Sequence, residues 1–219
     1  MKRIALLFCA LVPSFFLSAQ VNLEEIRKLA ADKATAYYYD SLVQDFLTNP
    51  GDFEMTKGIT LYYGKLFSDD YEPYSFSPQL TNFDEAFRLQ NYRRAIVLGV
   101  KLVEKDPVDF TVLLKLLRCY LEEKEEEAAQ FTRMQVDVLY KAILHSGDGS
   151  SPESAIKVLQ VADEYAIMAL MGIEGISRRS QMGDNSILDV WKVRSAKKGG
   201  KEVMYFEVLS NSGRKSGNK

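Results

Sequence analysis

Ser146-Gly147-Asp148-Gly149-Ser150-Ser151-Pro152-Glu153-Ser154 is where this chain changes character. Before it, from Phe83 to His145, apolar residues recur at the 3.6-residue spacing of helices; after it they alternate, as along half-buried strands. The switch predicts an α+β fold, with a helical N-terminal part packed on a small C-terminal antiparallel sheet. Gly147 is expected to end the preceding helix in a left-handed conformation and Gly149 to free the next turn, with Asp148 accepting hydrogen bonds from nearby backbone N–H groups. The stretch thus reads as a joint between two parts of one domain.

Working back from the joint, Asn91 to Lys105 reads as a helix closed by Asp106-Pro107. Leu113, Leu116 and Tyr120 mark the next helix, and Ala129, thirty-four residues after Ala95, falls in the corresponding place on its partner. That period, with Pro107 between helices, resembles the tetratricopeptide pattern of paired helices, although Leu117 fills a slot that usually takes a small residue. About one and a half repeats are visible, fewer than an array needs to bury its faces. Nearer the start, Asn22 with Glu25 predicts a capped helix carrying Leu23, Ile26 and Leu29 on one face. Tyr38, Leu42 and Phe46 predict a second, stopped by Thr48-Asn49-Pro50-Gly51-Asp52. Thr56 is expected to cap a third that runs to Leu66, and Phe67 to Phe83 reads as an aromatic-rich loop.

Downstream, Ile156–Val161 reads as a strand and Asp163–Met171 as a short helix ended by Gly172. Ile187–Arg194 and Glu202–Leu209, joined by a turn containing Gly199-Gly200, predict an antiparallel hairpin with Trp191 and Tyr205 paired on its surface.

The chain opens with Met1-Lys2-Arg3, an apolar run from Ile4 to Leu17 broken by Pro13, and Ser18-Ala19-Gln20, the three zones of a secretory signal peptide. The run is short for crossing roughly 30 Å of hydrocarbon, so no transmembrane anchor is expected after cleavage. Cys9 raises a lipoprotein reading, but bulky Phe8 stands where that processing needs a small residue. The expected organisation is a signal peptide at 1–20, one α+β domain at 21–209 (helical 21–146, sheet-containing 150–209), and a flexible tail at 210–219. The product is expected to be exported, periplasmic or extracellular.

Without Lys2 and Arg3 the chain has 26 basic against 30 acidic residues, a net charge of −4, which favours neither nucleic acid nor an anionic membrane. From Lys192 to Lys219 the balance reverses to +6, read here as a solvated edge strand and tail. Cys119 is the only cysteine left after cleavage, so no intramolecular disulfide can form, and its apolar helical context makes it a small buried hydrophobe.

Few residues point to chemistry. His145, the sole histidine, stands near Asp148 and could join it at a metal or act as a base for Ser150 or Ser151. Its plainer reading is a helix C-terminal residue beside free carbonyls. One histidine cannot build a histidine-rich zinc site, and Asp148-Gly149-Ser150 lacks the ligand ladder of an EF-hand. Asp163, Glu164, Asp69, Asp70 and Glu72 could supply the paired acids of a glycosidase, whose spacing sequence does not show. Tyr62, Tyr63, Tyr71 and Tyr74 could stack on peptides or sugars with their hydroxyls wet. The candidate binding residues are therefore Tyr62, Tyr63, Tyr71, Tyr74, His145, Asp148 and Glu164. No catalytic residue, metal or cofactor is assigned, and no phosphate loop or dinucleotide fingerprint is present.

Leu61-Tyr62-Tyr63-Gly64, Tyr71-Glu72-Pro73-Tyr74, Gly147-Asp148-Gly149 with Ala155, Asp163-Glu164-Tyr165 and Met204-Tyr205-Phe206-Glu207-Val208 occur in that order. With the signal peptide they resemble the family catalogued as domain of unknown function 4919, found in secreted bacterial proteins. The resemblance runs from about Tyr37 to Leu209 and implies one continuous unit; it implies no activity, cofactor or catalytic residue. The expected function is a non-enzymatic interaction or scaffold module of the cell envelope, with a protein or peptide as partner. The alternative is a hydrolase or glycan-binding protein acting on cell-envelope or extracellular polysaccharide.

Overall fold

The computed structural model describes residues 21–68, 71, 77–183, 185–195 and 202–210. The expected signal peptide, Tyr74, Asp69, Asp70, Glu72, the expected Gly199-Gly200 turn and the expected tail beyond Ser210 lie outside the described residues. The fold is α+β, with eight α-helices and a four-stranded sheet among the described residues.

Side-chain caps open four of the eight α-helices among the described residues, the first, fourth, fifth and sixth in chain order. Asn22 Oδ1 accepts from Glu25 N at 3.2 Å and opens α1 (Leu23–Ala31), which buries Ile26 and Ala30. Helix α2 (Tyr39–Thr48) buries Leu42 and Phe46 and stops before Pro50. Helix α3 (Met55–Gly64) starts after Glu54; Thr56 lies inside it, its carbonyl accepting from Thr60 Oγ1, so the expected cap is corrected. A second correction falls in the expected loop, because Ser77 caps Leu80 N and Pro78 sits in the first turn of α4 (Pro78–Arg88).

Asn91 and Asp109 cap α5 (Tyr92–Lys105) and α6 (Phe110–Glu123), and Lys124 turns the chain at φ 61° into α7 (Glu126–His145). Helix α3 packs on α7, α7 on α6, α6 on α5 and α5 on α4. Ala95 and Ala129 are both buried and each is the fourth residue of its helix. Cys119 is buried between α4, α5 and α6, where desolvation pushes its thiol up to about 11.

Past the joint come β1 (Ile156–Val158), α8 (Val161–Leu170), β2 (Ile173–Met182), β3 (Ser186–Ser195) and β4 (Val203–Leu209). The spatial order is β1-β4-β3-β2. β2, β3 and β4 pair antiparallel, but β1 pairs parallel with β4, so the sheet is mixed. The cause is topological: the chain leaves β1, makes α8 and the β2–β3 hairpin, and re-enters beside β1 in the same direction. β1 is shorter than expected because α8 begins at Val161. β2 has no sequence counterpart, since its residues are polar and it is exposed along almost its whole length.

The expected Trp191–Tyr205 pair does not form. Trp191 pairs with Met204 and Val190 with Tyr205, so the two rings occupy opposite faces. Trp191 turns inward and is buried. One apolar cluster extends from Ile26 of α1 through Leu113 of α6 and Met168 of α8 to Leu209 of β4.

Candidate functional site

The ends of the sheet are treated in opposite ways. At the β1 end, the backbone groups facing away from β4 are taken by side chains. Tyr63 donates to Lys157 O at 2.9 Å, Lys157 N donates to Ser146 Oγ at 2.8 Å, Leu159 N donates to Tyr62 Oη at 3.1 Å, and Tyr71 donates to Leu159 O at 3.1 Å. The rings of Tyr62 and Tyr63 meet edge to face, with centroids 4.9 Å apart. Burial pushes both hydroxyls above the ordinary tyrosine range. Tyr62, Tyr63 and Tyr71 are thus interior groups that close a sheet edge, not the wet rim of a binding surface.

Tyr62 also donates to Asp163 Oδ2 at 2.7 Å, joining α3 to the first turn of α8. Gln160 Nε2 reaches Asp163 Oδ1 at 3.3 Å and Asp109 Oδ1 at 3.5 Å. Desolvation pushes the Asp163 carboxyl up to about 7, with nearby Asp109 adding to it, while Tyr62, Gln160 and Lys65 act in the opposite direction. Tyr62→Phe keeps the ring but leaves Asp163 Oδ2 and Leu159 N without this hydroxyl. A stability loss of about 2 kcal/mol is expected by denaturant titration, and an unchanged midpoint would show that the link carries no stability.

Glu164, the next residue, faces the sheet. Its Oε2 accepts from the Trp191 indole at 2.7 Å, and Arg178 Nη1 lies 3.3 Å from Asp189 Oδ2 and 3.8 Å from Glu164 Oε2. Glu164 Oε1 and Asp189 Oδ1 are buried atoms with no hydrogen-bond partner among the described residues. Burial, then Asp189, pushes Glu164 up to about 8, against the effect of Trp191 and Arg178. Burial and the neighbouring Asp189 carboxylate thus both favour the protonated form of Glu164. The Arg178 guanidinium lies 5.7 Å from the Trp191 ring centroid, and Tyr165 packs edge-on against the same ring at 5.1 Å.

His145 is exposed at the C-terminus of α7, and Asp148 is exposed in the joint. Asp148 Oδ1 accepts from Ser150 N at 2.9 Å and Ser154 Oγ at 2.8 Å, which organises the turn. Gly149 N donates to Ser154 O at 2.8 Å, and Tyr205 N donates to Gly149 O at 3.0 Å, tying the turn to β4. Gly149 has φ +67°, whereas Gly147 is not among the residues with positive φ. A Cβ at Gly147 would instead sit 2.3 Å from Ser154 O. Among the described residues no group of three or more His, Cys, Asp or Glu side chains could hold a metal ion.

At the other end of the sheet, β2 pairs with β3 alone among the described residues. Its outer edge is a run of unpaired backbone groups ten residues long, interrupted by a bulge between Gly175 and Ser177. Sequence reasoning missed this strand and the Arg178–Asp189–Trp191 cluster. Asp189 and Trp191, two apart in an apolar strand, were the available signal that an acid faces the core with the indole.

Residues 24–215 match the model of the family described as Domain of unknown function (DUF4919), and the chain belongs to that family. No curated protein and no solved structure matches the chain.

Proposed function

We propose that this family member is an exported, non-enzymatic interaction module of the cell envelope that binds an extended peptide or protein segment. One observation carries the reading: Asp163, Glu164, Tyr62, Tyr63 and Tyr71 are built into the interior, while a ten-residue strand edge has no partner among the described residues. Asp163 and Glu164 are spent on Tyr62 and Trp191, which argues against a pair of glycosidase acids flanking a substrate. Open edges are a recognised way to capture extended chains, because the partner's backbone completes the ladder.

Export is supported by the basic, apolar and small-residue zones of residues 1–20. Among the described residues no helix is long and apolar enough to cross a membrane. The equivalent places of Ala95 and Ala129 support reading α4–α5 and α6–α7 as tetratricopeptide-like hairpins. The cluster running from α1 to β4 supports one folding unit over 21–209.

Selection from a random-peptide display library beside a cell-wall glycan array tests the proposal. Enrichment of extended peptides, with no glycan retained and no polysaccharide shortened, is expected. Retention or cleavage of a polysaccharide would replace the proposal with the glycan reading. N-terminal sequencing of the secreted protein should begin near Gln20 or Val21, and an intact Met1 in the cytosol would remove the export claim.

A further inference from the structure

The contrast between the two sheet edges goes further than peptide binding in general. At β1 four successive backbone groups are occupied by Ser146, Tyr62, Tyr63 and Tyr71, so that edge accepts no further strand. Among the described residues no side chain takes the outer backbone groups of β2 in this way. Beyond the bulge, Ser177 to Met182 pair with β3 in unbroken register, giving six residues of regular strand whose other edge is unpaired among the described residues.

The charge on this edge is specific. Arg178 pairs with Trp191 across the ladder and so faces the helices, where Asp189 holds it. Arg179 faces the other way, and Lys192, opposite Ser177, lies diagonal to it on the same face. Arg194 is engaged by Glu174 at 2.9 Å, but Arg179 and Lys192 have no ion-pair partner among the described residues. Apolar side chains accompany the cations: Met182 is 81 % and Ile176 47 % exposed on β2, and Tyr165 on α8 is 54 % exposed beside Trp191. A strand laid against β2 would therefore place alternate side chains beside Arg179 and the rest beside Arg178 and Tyr165.

Resting on the peptide-binding reading above, we infer that the open edge of β2 over Ser177–Met182 is the docking site. Its occupant is an extended segment of another protein, with acidic side chains at alternate positions. Backbone hydrogen bonds supply the affinity and Arg179 with Lys192 the selection. A second copy of this chain is disfavoured on the same grounds, since it would bring its own Arg178 and Arg179 against the same pair.

The probe is a fluorescein-labelled octapeptide alternating valine and glutamate, read by anisotropy beside its valine–lysine counterpart and a version N-methylated at alternate amides. The glutamate peptide should bind about tenfold tighter than the lysine peptide, since Arg179 on the edge strand and Lys192 behind it attract the one and repel the other. N-methylation should abolish binding, and Arg179→Glu, at an exposed position that leaves the melting temperature unchanged, should reverse the order. Equal binding of the two peptides, or an unreversed order in Arg179→Glu, would overturn the acidic partner. Undiminished binding of the N-methylated peptide would overturn strand addition. If display-selected peptides bind without displacing the probe, the interaction module stands and this docking site falls; if no peptide binds at all, both fall. A dimer in sedimentation velocity that Arg179→Glu dissolves would put a second copy on the edge and end the inference.

Discussion

Gly147→Ala is expected to destabilise the protein by on the order of 3 kcal/mol, lowering its melting temperature by roughly 6 to 12 °C for a chain of this size. The added Cβ would lie 2.3 Å from Ser154 O and 2.6 Å from Ala155 O, backbone atoms that cannot swing aside as a side-chain tip can. Ser154 O already accepts from Gly149 N, and Gly149 O accepts from Tyr205 N, so a shift at Ser154 passes to β4. Gly149→Ala meets a different obstacle, a φ of +67°, and should cost about 1 kcal/mol. Asparagine separates the two causes, because it tolerates left-handed angles but brings the same Cβ. Gly149→Asn should be milder than Gly149→Ala, whereas Gly147→Asn should be no better than Gly147→Ala. Equal tolerance of alanine at both sites in thermal melts would remove the close-approach argument.

The second large effect is a fall in stability as pH rises. Burial holds Asp163 at about 7 and Glu164 at about 8, both above their unfolded values, so the folded state binds more protons than the unfolded one between those limits. The stabilisation is full below the unfolded carboxyl values and is lost as pH climbs through the folded ones. Together the two groups should remove on the order of 7 kcal/mol between about pH 4.5 and pH 8. The surrounding charges set the window: Asp109 and Lys65 near Asp163, and Arg178 and Asp189 near Glu164. The double variant Asp163→Asn, Glu164→Gln should show a nearly flat profile over this window, because neither amide titrates. Identical slopes for variant and parent, measured by urea titration at about pH 5, 6.5 and 8, would mean that both acids are ionised in the fold.

Both effects rest on residues that sequence analysis singled out, but for altered reasons. Gly147 was read as needing an unusual backbone angle; it needs an empty side-chain position. Glu164 was read as a candidate binding residue and is a buried acid bonded to Trp191. The tyrosines Tyr62, Tyr63 and Tyr71 were read as candidate binding rings with wet hydroxyls and are the hydrogen-bonding wall of β1. Residue type announced that these positions carry hydrogen bonds. Chemical type alone does not tell whether the partner is water, a ligand or a carbonyl ninety residues away.

What the sequence by itself determined is the part of the structure set by neighbours within one or two turns. The caps at Asn22, Asn91 and Asp109, the helical periodicity before His145, the turn at Gly147–Gly149 and the β3–β4 pairing depend on local hydrogen bonds and local patterning. They were legible, or carried their signal in the sequence, because side chain and backbone compete over a few bonds. What only the tertiary structure decided is whatever needed a distant partner. β2 is a strand because β3 lends it a ladder, not because its polar residues favour one. The direction of β1 depends on where β4 returns, and the ionisation of Asp163 and Glu164 depends on the helices and sheet that exclude water from them. Such contacts are energetically strong and lie far apart along the chain, so no local pattern records them.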